Sequence, residues 1–324
     1  SEDFKKNEIE DIIDQSITFD SPIVNLYDEV NILELFHGPT FAFKDFGARF
    51  MARTMENVVS ENDKELNILV ATSGDTGSAV AHGFYGVEGV NVIILYPSGK
   101  VSNIQEKQLT TLDKNIYALE IQGTFDDCQN LVKQAFLDDE LKRYIDLSSA
   151  NSINIARLIP QSFYYFNAYA KLNTDKKVAV SVPSGNFGNI TAGILAKHMG
   201  LPINHFIAST NANKTVPEFL SSNTYSSSNS IETISNAMDV GDPSNIKRIM
   251  DIYNNVESLK NDLSSWSFSD NETKKCILNT LEEHNYLLDP HSAVGLLGLV
   301  KFLSKNSDFV GVFLGTAHPA KFAD

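Results

Sequence analysis

Cysteine is nearly missing: the 324 residues hold two, Cys128 and Cys276, far apart and outside any metal-ligand spacing. That excludes a disulfide framework and a zinc site, so we expect no metal. Basic charge is also short, with 26 Lys+Arg against 41 Asp+Glu and a formal net charge of -15. A nucleic-acid backbone or an anionic lipid surface would be repelled, and neither is expected as a partner. No apolar run approaches the ~18 residues of a membrane span. The N-terminus, SEDFKKNEIED, is too charged for a secretory signal. We therefore expect a reducing, cytoplasmic setting, and an anionic ligand must find its donors locally, against the overall charge.

What is present is the composition of an ordinary globular protein, 42% hydrophobic and 21% charged, in a chain long enough for its core to divide. Short runs rich in Val and Ile recur at Asn67–Ser73, Asn91–Pro97, Lys177–Val182, Ile203–Thr210 and Phe309–Gly315. Each is continuously apolar, as in strands covered on both faces. Helical periodicity follows at Asp45–Val59, Thr76–Tyr85, Phe125–Phe136, Asn154–Ala170 and His291–Ser304. The pattern predicts an α/β fold of three-layer α/β/α domains with mostly parallel sheets. Cys128, on the apolar face of FDDCQNLVKQAF, reads as a buried core thiol. Ser221–Ser230 (SSNTYSSSNS) has too little apolar content to pack and reads as a mobile surface loop. The ending KFAD comes abruptly after a strand and turn, and the fold is expected to continue past it.

Five segments carry donors or nucleophiles in places that suit a ligand. In ELFHGPTFAFKDFG, Lys44 sits among Phe41, Phe43 and Phe46. Lost hydration there frees an amine to attack a carbonyl, although most lysines are solvated surface charges. Asp45 reads as a helix-start residue. ATSGDTG, over Ala71–Gly77, joins a strand to a helix and suits either an anion or a turn capped by Ser73, Asp75 or Thr76. PSGNFGNITAG, from Pro183, completes neither GxGxxG nor a P-loop, leaving a cradle of N–H groups from Gly185 to Asn189 sized for one phosphate monoester. SANSINIAR groups Asn151, Ser152, Asn154 and Arg157 as anion donors, unless it is a capped helix start. In LGTAHPAKF, Thr316 ends a buried strand, where open sheets bind ligands, and His318 reads as structural before catalytic.

In this order the five segments, with ILYPSGKVSNIQEKQL between them, resemble the threonine synthase family of microbes and fungi, from about Ile32 to the end. The N-terminal and C-terminal segments usual in that family have little counterpart here. The resemblance implies a fold-type II pyridoxal-phosphate enzyme, tryptophan synthase β-like. It implies a large cofactor-binding domain of residues 1–44 and 166–324 with a smaller α/β domain, 45–165, inserted. Lys44 matches the catalytic Schiff-base lysine. Gly185, Asn186, Phe187, Gly188 and Asn189 match the loop for the cofactor phosphate, and Thr316 the residue facing the pyridine nitrogen. Asp75 stands where related enzymes place an Asn against the phenolic oxygen. Ser73, Thr76, Asn151, Ser152, Asn154 and Arg157 are the implied substrate-binding residues. The implied reaction converts O-phospho-L-homoserine and water to L-threonine and phosphate, with a monomer or homodimer expected. The alternatives are a threonine-synthase-like phospholyase, or another fold-type II enzyme such as threonine dehydratase or cysteine synthase.

Overall fold

A computed structural model describes residues 4–59 and 65–322. Parts of the two terminal readings, at Ser1–Asp3 and Ala323–Asp324, therefore lie outside the described residues. In chain order come α1 (Lys6–Ser16), β1 (Ile23–Tyr27), β2 (Val30–Glu34), α2 (Lys44–Val59), β3 (Leu66–Ala71), α3 (Asp75–Phe84), β4 (Val90–Pro97) and α4 (Asn103–Thr110). Next are β5 (Ile116–Ile121), α5 (Phe125–Leu137), α6 (Leu141–Tyr144), β6 (Asp146–Ser149), α7 (Ile155–Leu158), α8 (Ser162–Leu172), β7 (Lys177–Pro183), α9 (Gly188–His198) and β8 (His205–Thr210). The chain goes on through α10 (Thr215–Ser222), α11 (Ile246–Tyr253), α12 (Val256–Asp262), β9 (Leu263–Ser267), α13 (Asp270–His284), α14 (Pro290–Leu303) and β10 (Phe309–Gly315).

Contacts divide the described residues into two compact units, one of Gly38–Pro160 with Phe4–Asp20, the other of Ser21–His37 with Gln161–Phe322. The first contains a four-stranded, all-parallel sheet in the order β5-β4-β3-β6. Alternation along a strand sends successive side chains to opposite faces. Ile68, Val70, Val92 and Ile94 accordingly pack with Met51 of α2 and Val80 and Phe84 of α3. Leu69, Ala71 and Leu95 face Cys128 and Val132 of α5. Both faces are covered, which is why these strands read as unbroken apolar runs. Cys128 is fully buried and burial pushes its thiol up to about 11, so it is the inert core residue its helical position suggested.

The second unit has a six-stranded sheet in the order β1-β2-β10-β7-β8-β9. Only the β1–β2 hairpin pairs antiparallel in it, turning at Asp28 with φ 40°. Ile32, Ala179, Ile207 and Phe313 pack under Leu296 and Leu299 of α14. Leu33, Val180, Val312 and Leu314 face Tyr165 and Ala168 of α8.

Two local expectations need correcting. The periodic stretch Asn154–Ala170 is not one helix: α7 stops at Leu158, a 3-10 turn spans Ile159–Gln161, and α8 begins at Ser162. Pro160 lies at the break, where a proline ring and a missing N–H cannot continue an α-helix. The serine-rich stretch is not loop throughout, because Ser221 and Ser222 end α10. The rest is mostly exposed, with Ser228 N donating to the Gly241 carbonyl at 3.1 Å.

Candidate active site

The first unit holds the lysine. Lys44 opens α2, and the loop before it is fixed from within: Thr40 donates its N–H (2.9 Å) and its hydroxyl (2.7 Å) to the two oxygens of the fully buried Asp45. The Lys44 side chain is 16% exposed, its amine 5.0 Å from the Phe43 ring centre and 3.7 Å from Oδ2 of Asp75. Of its other aromatic neighbours in sequence, Phe46 turns inward, edge-on to Phe19, and Phe41 is 47% exposed at φ 57°. The environment of Lys44 thus includes a carboxylate as well as an aromatic ring, and is less purely apolar than its segment suggests.

Asp75 is the first residue of α3 and is buried. A carboxylate there is stabilised by the unpaired N–H groups of the first turn. Its other oxygen, Oδ1, accepts a 2.9 Å bond from Nε2 of the fully buried Gln105. The turn before it is capped by Thr72, whose hydroxyl oxygen accepts from the N–H groups of Gly74 (2.9 Å) and Gly77 (2.8 Å). Capping therefore falls to none of Ser73, Asp75 and Thr76, and Ser73 and Thr76 stand half-buried beside the turn. Gly74 has φ 126°, and a Cβ there would lie 2.4 Å from Cδ of Gln105, so this backbone requires glycine twice over.

The donors grouped in SANSINIAR are largely engaged with nearby backbone carbonyls. Asn151 Nδ2 donates to the Ala71 carbonyl at 2.9 Å. Asn154 donates to the Ser149 carbonyl at 2.8 Å and caps α7 by accepting from Ala156 N at 3.0 Å. Ser152 is half-buried. Arg157 is 2% exposed and donates through Nη1 to the Ala150 carbonyl. Burial lowers its guanidinium to about 10, against the pull of Asp45, which stabilises the charge. The Arg157 charge is thus held in the interior of the first unit.

The second unit holds the glycine-rich turn between β7 and α9. A Cβ on Gly185 would come within 2.9 Å of the Ala237 carbonyl and Met238 Cα, so a neighbouring strap presses on the turn there. Phe187 is buried in the left-handed region at φ 61° and precedes the first residue of α9, Gly188. That conformation turns successive backbone N–H groups to one side, at a helix N-terminus that already favours an anion. The Asn186 carbonyl accepts from Asn245 Nδ2 at 3.0 Å. Asn189 is 6% exposed, and its Oδ1 accepts from the hydroxyls of Tyr164 (2.7 Å) and Tyr165 (2.8 Å), both raised well above the usual tyrosine value by burial. Its Nδ2, enclosed like the rest, has no hydrogen-bond partner among the described residues. An enclosed donor costs about 1–3 kcal/mol unless something accepts from it. A phosphate monoester at the N-terminus of α9 would be such an acceptor, and the residues of this turn fit that group.

Thr316 follows β10 and is 6% exposed. Next to it, His318 accepts from Ala320 N at 3.1 Å and sits edge-on to Phe36, ring centres 5.4 Å apart, partners that suit a structural histidine. Sequence reasoning passed over Thr72, Gln105, Tyr164 and Tyr165. Ser102 and Gln105 have the spacing of a capping box, a signal that places Gln105 at the start of α4 but not beside Asp75. The tyrosines sit in a run, SFYYFNAY, with no motif to mark them.

Comparison with known proteins agrees with this chemistry. Residues 28–313 match the family model described as pyridoxal-phosphate dependent enzyme. The threonine synthase of Haemophilus influenzae is 50% identical over 315 residues, covering 97% of this chain and 73% of that protein. Among solved structures, threonine synthase from Escherichia coli superposes with a TM-score of 0.93 at 47% identity, over 99% of this chain and 74% of that one. The pyridoxal-phosphate-bound threonine synthase from Brucella melitensis gives 0.90 at 37% identity, over 98% and 75%.

Proposed function

From a chain that belongs to the pyridoxal-phosphate dependent enzymes of fold-type II, and within them to the threonine synthases, we propose that the substrate is O-phospho-L-homoserine and that Lys44 carries the proton chemistry. The observation that carries this reading is the Lys44 side chain, 16% exposed, with its amine 5.0 Å from the Phe43 ring centre and 3.7 Å from Asp75 Oδ2. Lys44 would hold the cofactor aldehyde as a Schiff base. The N–H groups of Gly185, Asn186, Phe187, Gly188 and Asn189 would hold its phosphate, Thr316 would face its ring nitrogen and Asp75 its phenolic oxygen. A neutral hydroxyl at Thr316, in place of a carboxylate, would leave that nitrogen less protonated and the electron sink milder.

The bound cofactor withdraws electrons from the substrate α-carbon, so that protons at the α- and β-carbons become removable and the γ-phosphate can leave. Lys44 Nζ, freed as an amine when the substrate amine takes its place, would take the α-proton and then serve the β-carbon, where water would finally add. Ser73 and Thr76, half-buried at the N-terminus of α3, are suited to the substrate carboxylate. Ser152 and the amides of Asn151 and Asn154 are assigned to the departing phosphate, with Arg157 supplying positive charge from the interior against the net -15. The compartment in this reading is the cytoplasm, and the enzyme acts as a monomer or homodimer.

The test is to incubate the protein, loaded with pyridoxal phosphate, with O-phospho-L-homoserine and identify the products. Threonine and inorganic phosphate in equal amounts are expected. Phosphate with 2-oxobutyrate and no threonine would replace this reading with a phospholyase.

A further inference from the structure

The segment ILYPSGKVSNIQEKQL has no part in the reading so far, yet it delivers a buried side chain to the neighbourhood of Lys44. Gln105 is fully buried and its amide is divided between two tasks. Its Oε1 accepts from Ser102 N at 3.0 Å, while the Ser102 hydroxyl accepts from Gln105 N at 3.3 Å, a reciprocal cap on α4. Its Nε2 donates to Asp75 Oδ1 at 2.9 Å. The other oxygen of Asp75 lies 3.7 Å from Lys44 Nζ. The same amide lies against Gly74, where a Cβ would be 2.4 Å from Cδ and 2.7 Å from Nε2 of Gln105. A buried carboxylate with one oxygen tied to an amide N–H cannot rotate without giving up a charge-assisted bond. A cap alone needs only the Oε1 of residue 105, which glutamate supplies as well as glutamine.

We propose that Gln105 is a positioning residue which, through Asp75, fixes the charge facing the Lys44 nitrogen; this rests on the reading of Lys44 as the cofactor lysine. Gln105→Glu separates the two tasks. Glutamate keeps the acceptor for Ser102 N and so the cap, but it sets a carboxylate against Asp75, and two carboxylates in contact cannot both stay ionised. Ser102→Ala does the reverse, weakening the cap and leaving the Asp75 contact in place.

The experiment is the visible absorption spectrum of the pyridoxal-phosphate-loaded protein at one fixed pH, for wild type, Q105E, S102A, D75N and Q105E/D75N, each checked for fold by circular dichroism. Borohydride reduction of the wild type first shows whether the cofactor is attached at Lys44. The ratio of the two absorbing forms should change about tenfold in D75N, the size of a lost charge, and about threefold in the same direction in Q105E, where one proton shared by two carboxylates leaves Asp75 only part of its charge. S102A should match wild type, and in the D75N background, where the introduced carboxylate has no acid beside it and stays ionised, Q105E should shift the ratio no further in the D75N direction. The proposal is overturned if Q105E matches wild type, if S102A shifts as much as Q105E, or if Q105E shifts the ratio further in the D75N direction when residue 75 is Asn. No attachment at Lys44 in the wild type overturns both readings, whereas attachment with an unresponsive Q105E overturns this one alone.

Discussion

Asp75 presents its two oxygens to different partners: Oδ2 stands 3.7 Å from the Lys44 amine and Oδ1 accepts the Gln105 amide. Charge and position are therefore separable at this residue. Asp75→Asn removes the charge but keeps a carbonyl oxygen for Gln105, and Asp75→Ala removes both. Steady-state kinetics should show kcat falling about tenfold in D75N and further in D75A. Equal losses in the two variants would mean that the Gln105 contact contributes nothing to turnover.

Asn189 is held by two tyrosine hydroxyls, and its enclosed Nδ2 awaits an acceptor. Removing both hydroxyls in Tyr164→Phe/Tyr165→Phe frees the amide to turn. Cofactor affinity, followed by fluorescence titration, should fall about fivefold or more, the size of a lost neutral hydrogen bond. Lys44 should remain the point of attachment. Unchanged affinity would remove Asn189 from the phosphate site.

The strap against Gly185 carries a titrating group. Burial pushes Asp239 up from its ordinary 3.8 to about 6, outweighing the hydrogen bonds from Thr233 and Asn211 that pull it down. A carboxyl whose folded value is raised contributes stability in full below its unfolded value and loses it as pH rises through the folded one. Thermal melts from pH 3.5 to 7.5 should therefore show the advantage of wild type over Asp239→Asn largest near pH 4 and smallest above about pH 6. A gap that widens with pH would reverse the assignment.

The core of the first unit offers a test of packing. Phe84 is fully buried among Val80, Ile94 and Met51. Phe84→Ala should cost about 3–5 kcal/mol in denaturant unfolding, the usual penalty for an aromatic truncated in a filled core. A loss below about 1 kcal/mol would mean that the cluster collapses around the gap.

What was legible in the sequence was whatever depends on local pattern. Strands β3, β4, β7, β8 and β10 showed as continuous apolar runs because each is covered on both faces, and α5 and α14 by their helical period. The glycine turn after β7 showed because a turn of that shape needs small residues. What was hidden depends on tertiary placement. Arg157 reads in sequence as an anion donor, and nothing there shows its 2% exposure, which follows from how α7 packs against α2 near Gly47. Pro160 was visible, yet the apolar period on both sides of it masked the break it causes. Thr72 takes the capping role because β3 ends at Ala71, two residues before the end of the Asn67–Ser73 run. Gln105 reaches Asp75 from 30 residues away, a distance at which no periodicity speaks.

The central claim is that Lys44 is the residue that holds the cofactor. Borohydride reduction of the pyridoxal-phosphate-loaded protein, followed by digestion and mass spectrometry, tests it directly. The account predicts one stable adduct, on the peptide containing Lys44, and none in Lys44→Ala. An adduct on another lysine, or one that persists unchanged in Lys44→Ala, would contradict it.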